Sequence, residues 1–198
     1  MKFNSKKIDI SKYIVYIIFV LCLIIFGIWL KGSFFSLSNL LNITRQAGAV
    51  SVMAIGMVFV IGLGHIDLSI GSVVAVSSLI TAYILRDTGN PVLAVIVAIG
   101  FGAIVGLFNG LTTIGMPAFL TTLGSQAILT GIAMWISATK AVPITHKGFL
   151  FWFGSGTIGQ VPILLLWAVG ATVIGYIVLN NTSYGRKILA TGGNATSA

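Results

Sequence analysis

The residues of this chain with the clearest chemical potential lie in one short segment, residues 62–72, between two long apolar runs. The segment contains His65 and Asp67, and the chain has only three acidic residues in all. A carboxylate near lipid is costly, so an ionisable group there is expected to serve a function. Two kinds of chemistry suit this pair: ion or proton transfer, or hydrogen bonding that shapes a passage for a polar solute.

Simpler roles for the same residues stay open. Two-residue spacing places His65 and Asp67 about 200° apart around a helix, so they do not form a helical pair. Three glycines in the segment lower helix propensity and predict irregular backbone, which is allowed at membrane depth only where protein or water surrounds it. Asp67 or Ser69 is also suited to cap the following helix. For His65, an interhelical hydrogen bond is an alternative to proton transfer.

The elements that must position this segment are membrane helices. Hydrophobic residues make up 57% of the 198 residues, charged residues only 7%, and the mean hydropathy is +1.08. A soluble domain of this length cannot hide so much apolar surface. The net charge of +8 forms no basic stripe on an aqueous surface, so nucleic acid is not an expected partner. The composition predicts a multi-spanning protein of the lipid bilayer.

A bilayer needs about 20 mostly apolar residues per helix, and several runs in the chain approach that length. The runs lie at residues 14–30, 46–64, 68–85, 91–113, 117–138 and 161–179. Because they are long, continuous and not alternating, they predict an all-α polytopic membrane helix bundle of about six transmembrane helices. Pro91 and Pro117 are predicted at first helical positions, where a missing N–H costs nothing.

The distribution of basic residues predicts the orientation. Four lysines precede the first run and only Lys31 follows it closely, so the N-terminus is expected in the cytoplasm. Six spans then return Arg186 and Lys187 to the cytoplasm, although several other basic residues fall on the outer face. The predicted organisation is a basic cytoplasmic N-terminus at 1–13, a single transmembrane domain at 14–179, and a cytoplasmic segment at 180–198, with the longest outer loop at about 139–160.

Small residues on the fourth run predict how the helices associate. They recur every four residues, at Ala94, Ala98, Gly102, Gly106 and Gly110. Lipid tails are as apolar as leucine, so close backbone approach along such a stripe is a main source of helix association energy. A glycine-rich chain also produces such rows by chance. A weaker row on the third run comprises Gly71, Ala75, Ser78 and Ala82.

Three stretches carry a family resemblance. They are GHIDLSIGS at residues 64–72, NG at 109–110 followed by MPAFLTTLG at 116–124, and TSYGRKILATGGN at 182–194. In this order, and across nearly the whole chain, they resemble the signatures of permease subunits of sugar-type ATP-binding-cassette importers. That family carries ribose, xylose, galactosides and related compounds. His65 stands where many members have glycine, and Leu189 replaces the commoner tyrosine.

The resemblance implies a set of partners. Such a permease pairs with a second permease subunit as a homo- or heterodimer, and receives its solute from an extracytoplasmic solute-binding protein. A separate ATPase subunit uses ATP to drive it, in the cell (plasma or inner) membrane of a prokaryotic-type cell. The chain itself contains no G-x-x-x-x-G-K-[ST] phosphate loop, so it is expected to be no enzyme and to hold no cofactor.

The resemblance also implies that the chain is the N-terminal portion of a permease. Members of the family continue for several more helices after the third stretch, whereas this sequence stops at Ala198. The transmembrane domain is therefore expected to be incomplete. A truncated gene, a split subunit and a fragment of a longer protein all remain possible explanations.

The segment after the sixth run is expected to contact the ATPase subunit. Tyr184 is suited to be an aromatic anchor and Arg186 its charge partner, presented by a tight turn at Gly192 and Gly193. The expected coupling loop comprises Tyr184, Gly185, Arg186, Gly192, Gly193 and Asn194. Anchoring of Arg186 at lipid headgroups is the alternative role.

A neutral sugar needs hydroxyl and amide partners in an otherwise apolar wall. As a hypothesis, the substrate pathway is lined or shaped by Asp67, Ser69, Asn109 and Thr121. The alternative is that these side chains hydrogen bond across helices for packing alone. Further polar side chains available in the spans are Thr122, Ser125 and Gln126.

Other classes of function stay open. An ion-coupled carrier or channel using Asp67 and His65 would normally contain more acidic residues in its spans. An intramembrane enzyme is disfavoured because the sequence has no metal-ligand cluster and no nucleophile–base pattern, so we predict neither a catalytic nor a metal site. A truncated remnant that inserts into the membrane and transports nothing is a third possibility.

Overall fold

The computed structural model describes residues 10–193, with side chains from residue 13 onward. The helices are α1 (Ile10–Trp29), α2 (Leu37–Gly62), α3 (Ile70–Thr88), α4 (Pro91–Thr112), α5 (Ala118–Ser137), α6 (Lys147–Phe153), α7 (Ile163–Asn181) and α8 (Ser183–Gly193). Two short antiparallel strands, β1 (Thr157–Ile158) and β2 (Val161–Pro162), form a hairpin between α6 and α7. Most of the predicted segment 1–13 and all of 194–198, including Asn194, lie outside the described residues.

Five helices in the described part of the chain are long and apolar enough to cross a membrane, namely α2, α3, α4, α5 and α7. A shorter apolar helix, Tyr13–Trp29 within α1, corresponds to the first predicted run. The prediction of an all-α polytopic membrane bundle is confirmed. The orientation of the N-terminus stays a prediction.

The helix boundaries differ from the predicted runs by a few residues, and the largest difference is at the start of α2. Helix α2 begins at Leu37 rather than at residue 46, because the polar residues between them interrupt the apolar run without breaking the helix. At the start of α4, Asn90 Oδ1 accepts from the N–H groups of Val92 (3.0 Å) and Leu93 (3.1 Å), and Pro91 is the first helical residue as predicted. Pro117 instead precedes the first residue of α5.

The chain divides into two compact units at residues 1–44 and 45–198. In the first unit, Phe34 lies between two aromatic neighbours, with ring centroids 5.9 Å from Phe26 and 4.9 Å from Phe35. In the second unit, α3 packs against both α4 and α5. Buried apolar side chains at this centre include Val76 of α3, Ala94 of α4 and Leu129 of α5.

The predicted small-residue stripe on α4 contributes to this packing only over its first half. Ala94 is fully buried and Ala98 is half-buried. A Cβ added to Gly102 would lie 4.0 Å from Val73 of α3. In contrast, Gly106 and Gly110 are exposed, and a Cβ on either would meet no described atom within 4 Å.

The helical repeat explains why only the first half of the row packs against α3. A step of four residues advances more than one turn, so a strict four-residue row drifts by about 40° per step around the helix. After several steps the row has left the face that contacts α3. The next deeply buried residue of α4 is therefore Asn109 rather than Gly110.

The weaker row on α3 is likewise mostly exposed. Gly71, Ala75 and Ser78 are exposed, and only Ala82 is buried. The buried face of α3 lies one residue further along, at Ser72 and Val76. The row of small residues therefore borders open space instead of the helix interface.

The predicted outer loop at 139–160 contains α6 and strand β1, and strand β2 follows it directly. Its aromatic residues pack against the start of α7, where Trp167 Nε1 donates to the carbonyl of Trp152 (2.9 Å). Phe153 stacks on Trp167 with ring centroids 5.7 Å apart. This arrangement orders a segment for which the sequence predicted only a loop at the interface.

The predicted coupling loop is also a helix, α8. Thr182 has extended backbone angles (φ −111°, ψ 160°) and separates α7 from α8. Its Oγ1 accepts from the N–H of Gly185 (3.2 Å), which satisfies one free donor at the start of α8. Gly192 and Gly193 are the last described residues of this helix and do not form the separate tight turn that was expected.

The junction between α7 and α8 depends on Gly185. A Cβ at this position would overlap the carbonyl of Leu179, so we expect Gly185→Ala to destabilise the protein by about 1–3 kcal/mol through overpacking. Gly170→Ala in α7 is the matched control, because no atom lies within 4 Å of its added Cβ. Thermal unfolding of the purified protein in detergent measures both. Equal stability of the two variants would contradict the tight junction.

Candidate functional site

The segment between α2 and α3, residues 63–69, is irregular as the glycines predicted. Gly64 has φ +79°, a conformation that favours glycine, and its N–H donates to the carbonyl of Ile61 (2.8 Å). The N–H of His65 donates to the carbonyl of Val60 (3.1 Å). These bonds satisfy the last carbonyls of α2 before the chain turns towards α3. We call residues 62–69 the junction.

Asp67 stabilises the entry into α3. Its Oδ1 accepts from both the N–H and the hydroxyl of Ser69, each at 2.7 Å. Ser69 precedes the first residue of α3 and is fully buried, but its side chain makes no capping bond to the helix. Of the two predicted capping residues, only Asp67 therefore accepts a backbone N–H at this end, one position before α3 begins.

Asn109 of α4 connects the junction to α5. Its Nδ2 donates to Ser69 Oγ (2.9 Å), and its Oδ1 accepts from Ser125 Oγ (2.5 Å). Asn109 and Ser125 are each 6% exposed. The continuous chain from Asp67 through Ser69 and Asn109 to Ser125 is called the buried network below.

A second tie joins α5 to the junction through Thr122. Its Oγ1 accepts from the N–H of Leu68 (3.2 Å) and donates to the carbonyl of Ala118 (2.9 Å). The neighbouring Thr121, which the sequence favoured, is also buried, but its hydroxyl has no hydrogen-bond partner among the described residues. Adjacent threonines give no sequence signal for which of them faces the junction, since that depends on the rotation of α5.

The structure does not join His65 to Asp67. His65 is exposed and borders a cleft of about 380 Å³ together with Thr113 and Phe119. None of the hydrogen bonds of the described residues connects its ring to Asp67. Within residues 10–193 there is also no group of three metal-ligating side chains.

Helix α8 contacts the junction directly. A Cβ added to Gly62 would lie 3.0 Å from Cγ2 of Ile188, a side chain that is buried. A Cβ added to Gly192 would overlap the carbonyl oxygen of Gly62 and lie 3.1 Å from the nitrogen of Gly64. The absence of side chains at these glycines lets the two backbones touch. The expected coupling loop thus contacts the junction, which contains Asp67 and Ser69 of the hypothesised substrate pathway.

The opposite face of α8 is open. Tyr184 is 61% exposed, and Arg186 and Lys187 are exposed beside it. Gly193 lies at the end of the helix with no described atom within 4 Å of an added Cβ. One face of α8 therefore packs on the junction, while an aromatic and basic face is available to a partner.

Comparison with known proteins gives a consistent match. The family described as "Branched-chain amino acid transport system / permease component" matches residues 39–198. The chain is 34% identical to the inner membrane ABC transporter permease protein YjfF of Escherichia coli over 79% of the chain and 49% of that relative. It is 36% identical to the ribose import permease protein RbsC of Bacillus subtilis over 85% of the chain and 53% of the relative.

A third relative extends the match to nearly the whole chain. The D-allose transport system permease protein AlsC of Escherichia coli is 30% identical over 95% of the chain and 58% of that relative. The chain spans about half the length of the curated relatives it matches. No solved structure matches it.

The buried network predicts the effect of removing its central amide. Asn109→Ala leaves Ser69 and Ser125 without their shared partner, and hydrogen bonds between membrane helices are worth about 0.6 kcal/mol on average and up to about 1.7 kcal/mol. We therefore expect the variant to unfold at a lower denaturant concentration in mixed micelles.

Thr172→Ala is the control for this variant. Thr172 is an exposed residue, and its hydroxyl bonds only within its own helix, to the carbonyl of Ala168 (2.7 Å). The control is expected to unfold at the same denaturant concentration as the wild-type chain. An equal loss of stability in both variants would show that the network adds nothing beyond an ordinary helix contact.

Proposed function

The chain belongs to the branched-chain amino acid transport system / permease component family, and from that membership we propose that it is a permease subunit of an ATP-driven importer. It forms part of the translocation pathway through the inner membrane for a monosaccharide or a related small polar solute. The solute is delivered by an extracytoplasmic binding protein, and a second permease subunit completes the pathway. The chain is a transport subunit and performs no catalysis of its own.

The observation that carries this proposal is the family match over most of a chain with five membrane-length helices. Two of the relatives are named for ribose and D-allose, which supports a neutral sugar as the solute. The described hydroxyl and amide groups of the spans agree with this class of solute. The one carboxylate at the junction, Asp67, already accepts two hydrogen bonds.

Helix α8 is the proposed contact for the ATPase subunit. Its exposed Tyr184 and Arg186 are of the residue types that dominate binding energy at protein interfaces. Its other face touches the backbone of the junction at Gly62 and Gly64. Because no flexible side chain separates these backbones, a displacement of α8 by the ATPase subunit would move the junction directly.

An ion-coupled carrier would need a different arrangement. A relay between His65 and Asp67 requires contact between them, and in the described structure His65 is exposed while Asp67 bonds to Ser69. No specific observation favours that alternative. Uptake that depends on ATP and not on a proton gradient would separate the two functions.

The exposed charge on α8 predicts the effect of reversing it. Arg186→Glu should weaken co-purification of the ATPase subunit by about tenfold or more, because a central arginine at an interface contributes about 2 kcal/mol or more. Lys140→Glu is the control, since Lys140 is exposed and lies on the segment predicted to face outward. Loss of the ATPase subunit from both variants, or from neither, would contradict α8 as the docking element.

The contact between α8 and the junction makes a separate prediction about coupling. Gly192→Ala should leave the ATPase subunit bound but lower ATP-driven uptake about tenfold, because the added methyl group pushes α8 away from Gly62 at a cost of about 1–3 kcal/mol. Gly193→Ala, with open space around its added Cβ, should transport normally. The measurement is uptake of labelled sugar into vesicles. Equal uptake by both variants would remove the contact from the coupling mechanism.

A further inference from the structure

A cavity of about 700 Å³ lies between α3, α5 and residues 139–144, outside the buried network. One wall is the exposed row of small residues on α3, at Gly71, Ala75 and Ser78. The facing wall is formed by α5 residues spaced at helical intervals. They are Gln126, Thr130, Ala133 and Ser137.

The side chain of Gln126 requires a hydrogen-bonding partner in this cavity. It lies near the middle of α5, a helix of membrane-spanning length, and it is exposed. Neither its amide nor the hydroxyl of Thr130 makes a hydrogen bond to any other described residue. An amide left without partners in hydrocarbon costs several kcal/mol. This face of α5 therefore needs water, a polar solute or polar protein groups.

Both walls of the cavity leave room for a solute. Ser78 and Ser137 donate to carbonyls of their own helices, Val74 and Ala133 respectively, each within 2.8 Å. Their hydroxyl oxygens retain lone pairs that accept hydrogen bonds from other donors. The added Cβ of Gly71 would meet nothing within 4 Å. The volume of about 700 Å³ lies in the range of small-molecule sites.

The charges at the cavity favour a neutral solute. Its lining contains no acidic residue, and Lys140 is its one basic residue, on the segment that follows α5. Most of the other lining residues carry a hydroxyl group, the amide of Gln126 or a small apolar side chain. This combination suits a molecule that both donates and accepts hydrogen bonds and carries no charge.

We propose that this cavity binds a neutral polyhydroxylated solute of monosaccharide size, with Gln126 and Thr130 as hydrogen-bonding partners. The assignment deepens the proposed function and rests on it for the class of solute. It places the solute-binding residues outside the buried network, because Asp67, Ser69 and Asn109 do not line the cavity. Ser72 links the two regions: it borders the cavity and donates to the carbonyl of Ser69 (2.7 Å).

Cysteine accessibility tests the cavity. The chain has a single cysteine, so Cys22→Ser gives a thiol-free background. Thr130→Cys is compared with Ile128→Cys, which lies on the same turn of α5, is 62% exposed and does not line the cavity. The variants are labelled with a hydrophilic maleimide in native membranes. Aldopentoses and aldohexoses, including D-ribose and D-allose, serve as protectants, and glycine betaine serves as the osmotic control.

We expect Thr130→Cys to react about tenfold faster than Ile128→Cys or more, because the reactive thiolate forms in water and not in lipid. At least one of the sugars should slow the reaction at Thr130→Cys, and glycine betaine should not. Adding Gln126→Leu should reduce that protection about tenfold, the effect of losing a hydrogen bond worth about 1.4 kcal/mol.

Three results would overturn the assignment. The first is equal reaction rates at the two cysteines, and the second is a rate at Thr130→Cys that no sugar changes. The third is a disulfide between two copies of the Thr130→Cys chain, which would make this face a contact between permease subunits. Labelling and protection need no ATP. Protection without ATP-driven uptake would therefore overturn the proposed function alone, and ATP-driven uptake without protection would overturn the cavity alone.

Discussion

The hydrogen bonds of Asn109 are the interaction on which the arrangement of α3, α4 and α5 depends. Its amide is buried between Ser69 at the start of α3 and Ser125 on α5, and it uses both its donor and its acceptor side. Apolar contacts alone give membrane helices little preference for one rotation over another, because lipid is as apolar as their side chains. A buried amide with two partners fixes that rotation.

Because the rotation of each helix about its own axis is fixed, the polar residues of the spans fall into two groups. Ser69, Asn109 and Ser125 are satisfied by one another and act as a scaffold. Gln126, one residue beyond Ser125, turns away from the network and borders the cavity. The same rotation gives Thr122 the contact with the junction and leaves Thr121 outside it. Neighbouring polar residues of one helix thus take different roles.

Two of the three stretches that carry the family resemblance contact the junction, which overlaps the other stretch, residues 64–72. The network ties it to α4 and α5, and α8 touches it through Gly62 and Gly192. Glycine at position 192 allows a backbone contact that a larger residue would prevent, and a Cβ at Gly62 would crowd the side chain of Ile188. The junction therefore contacts both α8 and the helices α4 and α5, although these segments are far apart in sequence.

The sequence by itself determined the class of protein, the approximate helices and the irregular junction, because hydrophobicity over some 20 residues and the conformational freedom of glycine are local properties. It also marked Asp67, Ser69 and Asn109 as polar residues in need of partners. Only the tertiary structure decided which face of each helix meets another. The predicted stripe from Ala94 to Gly110 shows why: a four-residue row drifts around the helix, and the face that packs follows from contacts between helices that no local pattern contains.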